Sequence, residues 1–153
     1  MNLKFKEFQK LNQIFEELNN IRIKSFEDFE TQGLPNKKQE HWKYTDLKNI
    51  INKNFLGLKI FEEKNITKYN EELIIKNLEH NKIILLNGNF VKANFDFEDK
   101  KKINIKSLKT IMSDVKDFEK IKNYFKDDQN SLISLNHALV NDGIFLEINN
   151  NYT

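Results

Sequence analysis

The dipeptide Asn87-Gly88 constrains the fold more than any other feature of this sequence. It follows an aliphatic run from Lys82 to Leu86 and precedes a partly alternating stretch with Phe90, Phe95 and Phe97. Asn-Gly favours the left-handed backbone of a two-residue hairpin turn, so these residues predict a β-hairpin. The chain therefore contains β structure.

Helical periodicity precedes the hairpin. From Leu3 to about Asn20, apolar residues recur at spacings of three and four, the stripe of an amphipathic helix. Ser25 predicts the cap of a second helix, with Asp28 in the capping-box position. Gly33 and Pro35 predict the end of that helix, because Gly accepts a left-handed conformation and Pro has no N–H.

The other segments alternate between helix and strand. Their elements follow in chain order: a short helix through Ile50 and Ile51 with Thr45 as its cap and Asp46 in its first turn, a helix favoured within Glu62 to Glu79, a strand with Ile103 and Ile105, a helix of about four turns from Ile111 to Phe125, a helix from Ser131 to Val140, a turn at Asn141-Asp142-Gly143, and a strand from Ile144 to Ile148. Together they predict an α+β fold.

Composition restricts the possible functions. The 25 basic and 23 acidic residues nearly cancel, and Arg22 is the only arginine, which disfavours specific recognition of nucleic acid. There is no cysteine, so the chain has no thiolate to bind zinc or an iron-sulfur cluster. No run of about 20 apolar residues could span a membrane, and we expect a cytoplasmic protein.

No motif indicates catalysis or metal binding. His41, His80 and His137 share no ligand spacing, and the four glycines form no phosphate-binding loop. Adjacent acidic pairs such as Glu16-Glu17 point in different directions on a helix and are expected to be solvated. A hydrolase would need a nucleophile paired with a base, and no such pairing is visible. We expect a protein that is not an enzyme.

The segment from Gly33 to Leu47 is the most distinctive. It predicts the end of one helix, a polar loop, the aromatic pair Trp42 and Tyr44, and the start of the next helix. In one interpretation the segment is structural, with both aromatics buried and Glu40 bonded to the backbone or to Lys43. In the alternative, Trp42, Tyr44 and the surface lysines form a small nucleic-acid-binding module, because exposed aromatics stack on bases.

Three segments resemble the SufB/SufD family, and SufD proteins in particular. The first matches the pattern Gly-Leu-Pro, Glu-x-Trp-Lys-Tyr-Thr and a leucine, at Gly33, Leu34, Pro35, Glu40, Trp42, Lys43, Tyr44, Thr45 and Leu47. The second is the hairpin from Leu85 to Val91. The third runs from Leu135 to Leu146 and is similar to the Leu-Asn-x-Ala and Asp-Gly segment that leads into the family's β-helix.

The resemblance implies a scaffold subunit of the Suf iron-sulfur cluster assembly complex, with SufB and SufC as partners and ATP hydrolysed by SufC. It implies N-terminal helices with a small β-hairpin region in residues 1–128, and the first coil of a truncated right-handed parallel β-helix in residues 129–153. No cofactor is expected to bind this segment, and no catalytic residue is carried over. A chain that stops there is expected to leave the edge of the strand Ile144 to Ile148 unpaired.

Overall fold

The computed structural model describes residues 15–54, 75, 78–96, 98–99, 101–126 and 130–150. Its elements in chain order are α1 (Glu16–Gln32), a 3-10 turn (Glu40–Trp42), α2 (Leu47–Asn54), β1 (Lys82–Leu86), β2 (Asn89–Asn94), β3 (Ile103–Ser107), α3 (Leu108–Met112), α4 (Val115–Glu119), a second 3-10 turn (Lys122–Tyr124), α5 (Ser131–Leu139) and β4 (Ile144–Ile148). Helices and small antiparallel sheets confirm the predicted α+β class.

The chain forms two compact units. One combines Met1–Glu62 with Glu119–Val140, and the other combines Glu63–Phe118 with Asn141–Thr153. Both units therefore contain chain from two separate stretches of the sequence. The expected division into residues 1–128 and 129–153 stays a prediction.

In the first unit, α1 is one continuous helix. The predicted start of a second helix at Ser25 is wrong, because Ser25 lies in the middle of α1. The buried residues Leu18, Arg22 and Phe29 share one face that extends on both sides of Ser25. Packing of this face outweighs the capping tendency of a serine, since tertiary contacts supply most of the stability of a helix. The part of the first predicted helix before residue 15 lies outside the described residues.

Small side chains let α5 pack closely against α1. The buried face of α5 consists of Ser131, Ser134 and Ala138, spaced three and four residues apart. Ala138 is fully buried, with Ile23 and Phe26 of α1 packed against it. Asn130 caps α5 by accepting a hydrogen bond from the N–H of Leu132, 3.0 Å away. The predicted helix over these residues is confirmed.

A buried arginine links the same two helices. The Arg22 side chain is only 1% exposed, and its Nη2 donates a hydrogen bond to the carbonyl oxygen of Val140, the residue that follows α5. Burial lowers the pKa of Arg22 to about 10, so the group remains charged at neutral pH. A cation at this position also complements the negative end of the α5 dipole.

In the second unit, the predicted hairpin is confirmed. β1 and β2 pair antiparallel, and the turn between them places Asn87 at φ 49° and Gly88 at φ 82°. The strand does not continue to Phe97 as predicted. It ends at Asn94, whose side-chain oxygen accepts a hydrogen bond from the N–H of Asp96 at 3.1 Å and so starts a turn. Phe97 itself lies outside the described residues.

The final strand has a partner within the chain. β4 is confirmed as a strand, but it pairs antiparallel with β3, from Ile103 opposite Ile148 to Ser107 opposite Ile144. The expectation of an unpaired edge is therefore wrong for the side of β4 that faces β3. Both sheets are antiparallel and two-stranded, and no coil of a parallel β-helix is evident in the described part of the chain.

The long helix predicted from Ile111 to Phe125 is also wrong. The chain forms the short helices α3 and α4 and a 3-10 turn instead. At the break, the Ser113 hydroxyl donates to the Lys109 carbonyl at 2.7 Å, and the Asp114 carboxylate accepts from the N–H of Asp117 at 2.9 Å. Ser and Asp compete with the helical backbone for hydrogen bonds, which favours an end and a new start here.

The contact between Arg22 and Val140 makes a testable contribution to stability. We expect Arg22→Ala to lower the free energy of unfolding by about 3 kcal/mol, because it removes a buried stem and leaves a carbonyl without its donor. Arg22→Met keeps most of the buried volume and removes a desolvated charge, so we expect a loss of about 1 kcal/mol. Urea denaturation measures both, with the exposed Glu30→Ala as the control. Equal losses for Ala and Met would contradict this account.

Candidate functional site

The segment from Gly33 to Leu47 begins with a backbone that requires glycine. Gly33 ends α1 at φ 69° and ψ −173°, and its N–H donates to the Phe29 carbonyl at 2.7 Å. This region of backbone space is essentially restricted to glycine. Leu34 is half-buried and Pro35 is almost fully buried, so the chain turns against the unit immediately after the helix.

A series of hydrogen-bonded turns follows. The side-chain oxygen of Asn36 accepts from the N–H of Lys38 at 2.9 Å, and its carbonyl accepts from the N–H of Gln39 at 3.1 Å. The Gln39 carbonyl then accepts from the N–H of Trp42, and the Trp42 carbonyl from the N–H of Thr45, each at 2.8 Å. The path of the segment is therefore set by backbone bonds and one asparagine.

The aromatic pair does not behave as a buried pair. Trp42 is half-buried, but Tyr44 is 87% exposed, so the prediction that both aromatics anchor the loop is wrong for Tyr44. The predicted pairing of Glu40 with Lys43 is present at 2.7 Å. The Lys43 ammonium also lies 5.3 Å from the centre of the Tyr44 ring, so it contacts two side chains within the segment.

Asp46 starts α2. Its carboxylate accepts from the N–H of Asn49 at 2.9 Å, and its carbonyl accepts from the N–H of Ile50 at 3.0 Å. The predicted short helix is confirmed, but the capping residue is Asp46 and not Thr45, because the Asp46 side chain accepts the N–H at the start of the helix. The whole segment from Gly33 to Leu47 thus joins the end of α1 to the start of α2.

In the second unit, one carboxylate joins two of the segments that resemble the family. Asp142 accepts from the N–H of Phe90 in the hairpin at 2.8 Å and from the N–H of Lys109 in α3 at 3.0 Å. The next residue, Gly143, accepts from the N–H of Leu108 at 3.0 Å through its carbonyl. The sequence predicted only a tight turn at Asp142. The Asp-Gly pattern was the available signal, but its bonding partners are distant in the sequence.

The histidines have separate surroundings. His41 is exposed, His80 lies against the carbonyl of Leu78, and the His137 ring packs on Phe125 with 5.3 Å between ring centres. Among the residues described by the structure, no three His, Asp or Glu side chains are grouped to hold a metal ion. No helix in those same ranges has the length and apolar character needed to cross a membrane.

Comparison with known proteins identifies a family. The family model described as "SufBD protein N-terminal region" matches residues 5–153 of the chain. No curated protein and no solved structure matches this chain significantly. The match includes all three segments on which the resemblance rests, and it does not separate SufD from SufB.

The geometry of the segment predicts unequal effects of two substitutions. Gly33→Ala forces a side chain into a backbone region reserved for glycine, so we expect a loss of about 1–3 kcal/mol in the free energy of unfolding. A β-carbon at Gly33 would contact nothing within 4 Å, so this cost is conformational. Tyr44→Ala should change stability by less than about 0.5 kcal/mol, because the ring is exposed. A large loss at Tyr44 alone would refute this assignment, and urea denaturation gives both values.

Substitutions of Asp142 test whether its carboxylate holds the hairpin to α3. Asp142→Ala leaves two backbone N–H groups without their acceptor, and we expect a loss of about 2 kcal/mol. Asp142→Asn keeps one acceptor oxygen and should lose about half as much. The exposed Asp96→Ala removes an acidic side chain of the same unit and serves as the matched control. If all three variants unfold at the same urea concentration, Asp142 does not hold the hairpin to α3.

Proposed function

The chain belongs to the SufBD protein N-terminal region family, and from that premise we propose that it is the N-terminal region of a SufD-type scaffold subunit in iron-sulfur cluster assembly. The observation that carries the proposal is the family match over residues 5–153. The choice of SufD over SufB rests on the ordered pattern from Gly33 to Leu47, which is similar to the signature of SufD proteins.

The geometry supports a structural role for the segment from Gly33 to Leu47. Gly33, Asn36 and Asp46 act on the backbone as a helix end, a turn and a helix cap. Asp142 likewise binds two backbone N–H groups. Residues of this kind fix the path of a chain, which is what a scaffold requires, and the side chains of Asn36, Asp46 and Asp142 are bonded to backbone N–H groups of the same chain. We therefore propose that the region has no catalytic activity.

The proposal includes partners and chemistry that belong to the intact complex. SufB and SufC are the proposed partners, the cluster is the cargo, and SufC hydrolyses the ATP. Because the sequence has no cysteine, a thiolate ligand for the cluster would come from outside these residues. The parallel β-helix and a cytoplasmic location are further parts of the proposal.

A nucleic-acid-binding module receives no support from the geometry. Stacking on bases favours aromatic rings set in a positively charged groove. Here Trp42 is half-buried, and the adjacent Lys43 is already paired with Glu40. The only arginine, Arg22, is buried against α5. We propose a single function, in cluster assembly.

Purification from the native cell tests this proposal. We expect an affinity tag placed before Met1 at the chromosomal locus to recover SufB and SufC in fixed proportion, identified by mass spectrometry. The same tag on an unrelated protein of similar abundance is the control. Recovery of neither subunit would reject the proposed function. Recovery of SufC with a separate SufD, but no separate SufB, would instead reject the assignment to SufD.

A further inference from the structure

The apolar stripe of α2 is only partly buried: Leu47 and Ile51 are half-buried, and Ile50 is exposed. Leu47, Ile50 and Ile51 recur at spacings of three and four and so share one face of the helix. None of the residues of α2 is buried, and Ile50 is 44% exposed. The helix makes no extensive contact with any other described helix or strand. Helices in proteins depend on burial of such a face, and a partner would bury the part of this face that is still exposed, Ile50 above all.

Positive charge borders the stripe on both sides. At about 100° per residue, Lys48 lies to one side of the apolar face and Lys53 to the other. Neither lysine forms an ion pair within the described residues, and α2 itself contains no acidic residue. The nearest carboxylate in the sequence, Asp46, is occupied by the N–H of Asn49. The surface formed by Leu47, Lys48, Ile50, Ile51 and Lys53 is hereafter the α2 face.

We propose that the α2 face binds a protein segment whose own apolar stripe is bordered by Asp or Glu side chains, carried by another subunit of the Suf complex. This inference rests on the proposed function. A helix of that pattern would place its apolar residues between those of α2 and its carboxylates beside Lys48 and Lys53. Complementary charges would also fix the register of the two helices.

The charges argue against a second copy of this chain as the occupant. Two copies meeting through the same face would bring Lys48 and Lys53 close to the identical lysines of the other copy. Like charges placed opposite each other oppose association. A partner with Asp or Glu beside its apolar stripe would instead attract Lys48 and Lys53.

The size of the helix argues against a membrane surface. α2 has eight residues, which correspond to a length of about 12 Å. It contributes three aliphatic side chains and no aromatic one. Helices that lie in a membrane interface generally combine a larger apolar face with Trp or Phe anchors. A short contact of this kind suits a site that adds to a larger interface between tethered proteins.

Photo-crosslinking within the tagged complex tests the proposal. A photoreactive phenylalanine analogue replaces Ile50, and in a matched control it replaces Ile133 of α5, which is 36% exposed. We expect a crosslink from the position of Ile50 to another Suf subunit and none from that of Ile133. The crosslinked peptide should contain apolar residues at helical spacing with Asp or Glu beside them.

Charge reversal provides the second measurement. We expect the double variant Lys48→Glu, Lys53→Glu to lower the crosslink yield about tenfold, because two attractive pairs become repulsive. The double variant Lys37→Glu, Lys38→Glu makes the same change of charge at exposed residues outside the α2 face and should leave the yield unchanged. Urea denaturation verifies that both variants are folded.

The possible failures are distinguishable. If SufB and SufC are recovered but no crosslink forms at Ile50, the docking proposal is wrong and the proposed function stands. A crosslink to a second copy, or sedimentation with phosphatidylglycerol vesicles in place of a protein crosslink, would likewise overturn the docking proposal. Failure to recover either Suf subunit would reject both.

Discussion

The hydrogen bond from Arg22 in α1 to the carbonyl of Val140, directly after α5, joins two residues that are 118 positions apart in the sequence. It lies beside the close packing of Ala138 against Ile23 and Phe26, so charge, hydrogen bonding and apolar burial act on the same pair of helices. A buried guanidinium is costly to desolvate, and its bond to the end of α5 offsets part of that cost. The packing of α1 against α5 within the first unit depends on this contact.

The position of the segment from Gly33 to Leu47 depends on α1, because the segment begins where that helix ends. Gly33 sets the direction in which the chain leaves the helix, and Asp46 sets where the next helix starts. Between them, backbone hydrogen bonds fix the path. In the other unit, Asp142 holds the hairpin and α3 in the same manner. The segments that resemble the family thus contain residues that direct the backbone, among them Gly33 and Asp142.

Local signals predicted local structure well. The hairpin at Asn87-Gly88, the helix α5 and the strand β4 each follow from a turn, a cap or an apolar pattern within a few residues. The wrong predictions concern helix bounds and exposure that depend on hydrogen bonds of side chains or on contacts distant in the sequence. Ser25 lies inside α1 because both halves of the helix pack, and Ser113 with Asp114 divides a predicted helix. The exposure of Tyr44 and the partners of Asp142 depend on tertiary placement, which periodicity does not contain.

The central claim is that the chain works in iron-sulfur cluster assembly. Its most direct test is the activity of aconitase, a cluster-dependent enzyme, in a cell whose only assembly route is Suf, after depletion of this gene product. The account predicts that activity per aconitase molecule falls and returns when iron and sulfide are supplied to the extract. Unchanged activity, or a loss that iron and sulfide do not reverse, would contradict it.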